Sequence, residues 1–201
     1  MTKLNVIESR ICDPNVMLIL TSAEQAKDLI ALQNWMRGYD QSDSLLAAVE
    51  YLKDEDVIGW RVFWLGLLLH CLLCNGSTEL RDFVSQRIPQ DWTSSLTEFD
   101  VRRWYPLVRR NLEKANEVLD ELDEHLTTTD QWLCVAYDGL EVYDAVGSHI
   151  AIRALVGLWF DRLRRWRRLH AKIFLRPDLF DIGRFNFPDA SKLSGHAVRL
   201  D

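Results

Sequence analysis

Residues Gln131–Asp138, QWLCVAYD, decide how the rest of the chain is read. The stretch is a near-continuous apolar run that ends on an acid and follows the polar break Thr127–Asp130. Such a run is the signature of a strand covered on both faces, as parallel-sheet strands are. A helix of about two dozen residues is expected next, over Ala145–His170, with Ile152, Leu155, Trp159, Leu163, Trp166 and Leu169 at helical spacing. AKIFLRPD, Ala171–Asp178, then forms a further strand-like segment stopped by Pro177. Strand, helix and strand in that order imply a parallel pair joined by a right-handed crossover.

Upstream, PNVMLIL at Pro14–Leu20 has the same continuous apolar character, so it is read as an earlier strand of that parallel sheet. Ser22, with Gln25 three residues on, opens a predicted helix over Ala23–Met36 that Gly38 closes. Ser42–Lys53 and Val57–Cys74 are two more predicted helices, and Asn75-Gly76 is a stop signal. Thr78–Gln86 is a short amphipathic helix, and Pro89–Thr97 reads as a loop anchored by Trp92. Pro106 fits the first turn of a long charged helix running to about Leu126. At the other end His196–Leu200, HAVRL, is a possible last strand. The expected fold is therefore α/β and helix-rich overall: a small parallel sheet with a large helical insertion over residues 22–126 and a second α/β part over 131–201, all in one domain.

With 201 residues, 48% of them apolar and 27% charged, the chain can build a real core, which excludes disorder and a fibrous or disulfide scaffold. The net charge of −6 hides an asymmetry. From Glu141 onward there are 11 Lys+Arg against 7 Asp+Glu, whereas the first 140 residues carry 13 against 23. The acidic total argues against a general polyanion binder. Cys12, Cys71, Cys74 and Cys134 lack a framework spacing, and no secretory signal opens the chain, so reduced thiols in the cytoplasm are expected. Val57–Cys74 is the one membrane candidate, but Arg61 and His70 interrupt it and its uncharged run falls short of the roughly 20 residues a bilayer needs. It is read as a core helix, and no membrane is expected.

In open parallel sheets ligands bind beyond the carboxyl ends of the strands. Two such ends carry conspicuous polar groups. In VAYDGLE, Asp138 terminates the apolar strand and Glu141 lies just beyond it. A carboxylate placed there can orient Mg²⁺, which takes oxygen ligands, and a second can orient an attacking water. In KIFLRPD, Arg176 leaves the neighbouring strand, where a guanidinium can contact a phosphate.

The ordered set of VAYDGLE, a long helix, KIFLRPDLF and FPDASKL, with SKLSGHAVRL at the end, resembles the C-terminal part of the nucleotide-binding domain of bacterial STAND-like P-loop ATPases. The resemblance is most specific over Gln131–Leu200, about a third of the chain. It implies that Asp138 is the Walker B acid holding Mg²⁺, that Arg176 is the sensor arginine for a γ-phosphate, and that ATP and Mg²⁺ are the cofactors. Glu141 corresponds to the second, catalytic acid, which the family places directly after the first, whereas here Gly139 and Leu140 intervene. Lys192 is a candidate phosphate contact in FPDASKL, although Asp189 and Lys192 also suit the start of a helix. The family's G-x-x-x-x-G-K-[ST] loop has no counterpart in the chain. The chain is thus expected to be either part of a longer protein or a degenerate relative, and not catalytic without a phosphate loop. The expected function is a nucleotide switch in signalling or defence, with a protein partner or a homo-oligomer as its output. The alternative is a non-catalytic interaction module on the same scaffold.

Two other features bear on function. DRLRRWRRLH places Arg164, Arg165, Arg167 and Arg168 near a predicted helix C-terminus, where cations complement the helix dipole. They offer a nucleic-acid or acidic-protein surface, or one that docks on the acidic front of the same chain or of a neighbouring protomer, with Trp166 expected in the core. HCLLC, His70–Cys74, lacks a second ligand pair at zinc spacing and lies in an apolar helix, so it is read as buried thiols.

Overall fold

Gln131–Tyr137 forms a strand in the computed structural model of the chain, which describes residues 8–13, 16–22, 43–98, 100–143, 149–180 and 190–197. In chain order the elements are β1 (Glu8–Asp13), β2 (Val16–Ser22), α1 (Asp43–Leu52), α2 (Val57–Asn75), α3 (Thr78–Ser85), α4 (Gln90–Thr97), α5 (Val101–Arg110), α6 (Leu112–Thr128), β3 (Gln131–Tyr137), α7 (Ile150–Arg162) and β4 (Leu169–Ile173). Short 3₁₀ turns cover Leu140–Tyr143 and Ala190–His196. The strands form one sheet in the order β1-β2-β3-β4. β3 and β4 are parallel, with Leu133 opposite Leu169 and Tyr137 opposite Ile173.

The all-parallel expectation fails at β2, which runs antiparallel to β3 with Leu18 opposite Val135, and is itself paired antiparallel to β1. A continuous apolar run carries no strand direction. Direction depends on the connections: the two residues between β1 and β2 compel that pair to be antiparallel, while the long connection through α1 to α6 lets β2 run either way against β3. β1 was not anticipated, and the helix expected over Ala23–Met36 lies outside the described residues.

Between β2 and β3 the chain supplies α1 to α6, the helical insertion that the sequence pattern called for. Its centre is α2, which Asp56 starts by accepting the Gly59 N–H at 2.8 Å. This is the one helix among the described residues long and apolar enough to cross a membrane, and 78% of Val57–Cys74 is buried inside the protein. Trp64 is fully buried, donates its indole N–H to the Ala151 carbonyl of α7 at 2.8 Å and meets Tyr137 of β3 edge-on. Phe63 stacks on Trp104 of α5 at 5.8 Å. Each large apolar side chain so enclosed contributes about 1.5–3 kcal/mol through removal from water.

Other boundaries depart from the sequence pattern. The stretch after Pro89 is not a loop: Pro89 precedes the first turn of α4, whose Trp92 and Leu96, one turn apart, are both buried. The long charged helix is two helices. α5 begins at Val101 because the Asp100 carboxylate accepts the Arg102 N–H at 3.1 Å, so Pro106 falls inside α5, and the chain breaks at Asn111 before α6 starts. α7 ends at Arg162 rather than running to His170, leaving Leu163 exposed, while Trp166 and Leu169 are buried in the following turn and strand. β4 begins at Leu169, before the expected Ala171. His196 closes a 3₁₀ turn, and the rest of the expected last strand, 198–200, lies outside the described residues.

Candidate functional site

Because β3 and β4 are parallel neighbours, their carboxyl ends lie on one rim of the sheet. The pairing runs one step past the ladder, with the Phe174 N–H on the Tyr137 carbonyl at 2.8 Å. Asp138 therefore leaves β3 at the level where Phe174 leaves β4, and Arg176 follows two residues later. The pairing brings the two backbone segments together.

Asp138 is half-buried, and its Oδ1 accepts the N–H of Gly139 at 2.8 Å. Gly139 has φ 63°, the left-handed conformation that glycine adopts without a Cβ penalty, and this turn directs the chain into the 3₁₀ segment where Leu140 and Tyr143 are buried. Glu141 is on the outer side of that segment and exposed. Arg176 is also exposed, and its Nε and Nη2 donate to the Asp178 carboxylate at 3.1 and 2.9 Å. That bidentate pair is the fork geometry by which a guanidinium takes a planar oxyanion. The Arg176 carbonyl accepts the N–H groups of Leu179 and Phe180 at 3.0 and 3.1 Å, so a tight turn carries both side chains of the pair. Lys192 is exposed on the 3₁₀ turn Ala190–His196. No group of three or more His, Cys, Asp or Glu side chains able to hold a metal ion is found among the described residues, and Asp138 is the half-buried carboxylate at the rim.

The basic run is held from within. Asp120 of α6 accepts the Trp166 indole N–H at 2.7 Å, pairs with Arg165, and lies 3.8 Å from Arg162, which also donates to Asn116. Burial lowers the affinity of the Arg162 guanidinium for its proton, and Asp120 opposes that shift. Arg168 pairs with Asp130 at 3.0 Å. Of the four arginines singled out as a nucleic-acid surface, Arg165 and Arg168 are thus ion-paired within the chain, and Arg164 and Arg167 are exposed. Trp166 is buried against Trp159, its ring 5.4 Å away, and is not presented for stacking on a base.

Asp123 was not singled out by the sequence pattern, yet it organises this region. It is a buried carboxylate on α6. Its Oδ1 accepts the backbone N–H groups of Arg167, Arg168 and Leu169 at 3.0, 2.7 and 2.8 Å, and its Oδ2 accepts that of Arg167 at 2.9 Å. Successive N–H groups converging on one anion form a nest. Here the anion is a side chain from 44 to 46 residues earlier in the chain, which no local sequence signal reveals.

Compared with protein-family models, with curated proteins and with solved structures, the chain gives no match.

Proposed function

We propose that the chain is the nucleotide-responsive portion of a STAND-like P-loop ATPase, in which Asp138 faces Mg²⁺ and Arg176 senses the γ-phosphate of ATP. One observation carries the proposal: β3 and β4 are adjacent and parallel, so the segment bearing Asp138 and the segment bearing Arg176 leave the sheet at the same rim. Asp178 supports the sensor role in a specific way, since it occupies the guanidinium with a carboxylate that a phosphate can replace. Exchange of that partner on nucleotide binding would move the turn after β4, a local charge event with a wider conformational readout. Glu141, exposed beyond Asp138, is the residue available to orient a water, and Lys192 is the further phosphate contact. Hydrolysis awaits a phosphate loop, which this sequence does not contain.

A second reading has its own observation. β1 and β2 are added antiparallel to the parallel pair, which departs from a wholly parallel nucleotide-binding sheet and suits an interaction module built on that scaffold. Calorimetry with Mg²⁺–ATP separates the two, performed on this chain and on a form that includes whatever residues precede Met1 in its gene. The switch reading expects binding that Asp138→Ala and Arg176→Ala each weaken at least about tenfold, a loss of about 1.4 kcal/mol. Binding unchanged by both substitutions overturns these roles. Light scattering with and without nucleotide then tests the output: assembly indifferent to nucleotide favours the module.

A further inference from the structure

The sulfur pair near the end of α2 is used by neither reading. α2 is helical through Asn75, so Cys71 and Cys74 stand three residues apart on consecutive turns. At 100° per residue Cys74 lies between His70 and Cys71 when viewed down the axis, one turn further on. Cys71 is fully buried, whereas Cys74 is partly exposed. The Cys74 thiol donates to the Thr97 carbonyl at the end of α4 at 3.6 Å, and its sulfur is 3.6 Å from Nδ1 of His70. That nitrogen also contacts the Leu96 carbonyl, which can only accept, so Nδ1 carries the proton and the sulfur faces an N–H.

We propose that Cys71 and Cys74 are a redox-active dithiol, oxidised reversibly to an intrahelical disulfide by low-molecular-weight disulfides. The partly exposed sulfur of Cys74 attacks the S–S bond of the oxidant, forming a mixed disulfide and releasing one thiol. The sulfur of Cys71 then attacks the Cys74 sulfur, closing the protein disulfide and releasing the second thiol. The two thiol protons of the protein leave on the two released thiols. Side chains three apart on a helix have Cβ atoms about 5–6 Å apart, and a disulfide needs about 3.5–4.5 Å. The last turn of α2 must therefore tighten by about 1–2 Å. It can do so because the helix stops there, with Gly76 already closing back on the carbonyls of Cys71 and Leu72. The negative end of the helix and the Thr97 carbonyl disfavour charge on Cys74, so its attack goes through a small thiolate fraction and quickens as pH rises. Closure takes the Cys74 S–H away from Thr97 and so loosens the end of α4 from α2.

Trypsin supplies a direct assay, because the fragment Val62–Arg81 contains Cys71 and Cys74 and no other cysteine. The folded protein is incubated with oxidised glutathione, quenched with an alkylating agent and analysed by mass. The expected product is this fragment two hydrogens lighter and unalkylated, returned to the dithiol by reduced glutathione. Cys134, whose thiol burial pushes up to about 12, is the internal control and remains reduced. Cys71→Ala is expected to trap glutathione on Cys74, and Cys74→Ala to leave Cys71 unmodified. Amide exchange at Leu96 and Thr97 is expected to rise about tenfold on oxidation. A wild-type fragment that stays reduced, or that accumulates only the mixed disulfide, overturns the proposal without reference to either variant.

Discussion

Replacing Asp123 with alanine tests the account of how the turn between α7 and β4 is held. The substitution removes the single acceptor of the Arg167, Arg168 and Leu169 amides. Leu169 is 1% exposed, so its N–H is left without water, at a cost of about 1–3 kcal/mol. Arg167 and Arg168 lie nearer solvent, and exchanging a carboxylate for water costs about 1 kcal/mol at each. Alanine recovers about 0.5 kcal/mol of helix propensity within α6. The sum is a loss of about 2.5–4.5 kcal/mol, a large part of the roughly 5–15 kcal/mol that a domain has. With a urea dependence of about 1–3 kcal/mol/M, the unfolding midpoint drops by at least about 0.8 M. Hydrogen exchange localises the effect: the three amides lose protection first, followed by the start of β4, because the Arg168 carbonyl accepts the Leu133 N–H at 2.9 Å. Asp123→Asn, which keeps one acceptor oxygen, falls between. A loss below about 1 kcal/mol in Asp123→Ala, or unchanged protection at the three amides, refutes the reasoning.

The remaining predictions concern packing and protonation. Gly66→Ala places a methyl 2.6 Å from Cε3 of the fully buried Trp104, so the chain loses about 1–3 kcal/mol by overpacking, read from urea unfolding. Burial lowers the proton affinity of His70, with the Leu96 carbonyl opposing, so the unfolded state binds the proton more readily. His70 therefore contributes stability in full above the ordinary histidine value of about 6.5, and that contribution is lost as pH falls below it. His170 is shifted in the same direction, again chiefly by burial. His70→Asn, which keeps an N–H for Leu96, is expected to flatten the dependence of the urea midpoint between about pH 7 and 5. Asp178→Ala breaks an exposed ion pair and changes stability by less than about 1 kcal/mol, yet it removes a carboxylate that competes for Arg176 and is expected to strengthen Mg²⁺–ATP binding where the switch reading holds.

The parts of the fold legible in the sequence are those that local patterning specifies. α2 is legible because a long, mostly apolar run closed by an Asn-Gly stop has few other uses, and the Asp56 cap found in the structure agrees with it. β3 and β4 are legible because apolar runs bounded by polar breaks have few other uses. The direction of β2 is not legible, since apolar runs look alike from either end. The end of α7 misleads for a different reason: Trp166 and Leu169 continue the helical spacing and are indeed buried, but in a turn and a strand. Past Trp166, whose N–H still bonds the Arg162 carbonyl, the next three backbone N–H groups go to Asp123, a partner that arrives through tertiary structure. The site divides in the same way. Asp138 could be placed at a strand end and Arg176 shortly past one from their neighbours, and Arg176 with Asp178 is a short-range pair. The partners of the basic run, Asp120 and Asp130, become visible only when α6 packs beside it.

The charge asymmetry of the chain takes on a different meaning once those pairs are seen. A basic tail and an acidic front suggest two surfaces for two partners, but here Asp120, Asp123 and Asp130 take up Arg165, Arg168 and the backbone around them. The complementarity is largely internal, and it fastens the start of β4 to α6. This has a measurable consequence for nucleic acid. A surface using all four of Arg164, Arg165, Arg167 and Arg168 would neutralise about four phosphates, giving a slope of log K against log salt near −3.6 on duplex DNA. With only Arg164 and Arg167, which lie outside these ion pairs, available, the slope is near −1.8. Titrating a labelled duplex at several salt concentrations measures it. A slope steeper than about −3 would mean that the arginines leave Asp120 and Asp130 for phosphate, and the internal role assigned to this turn would be wrong.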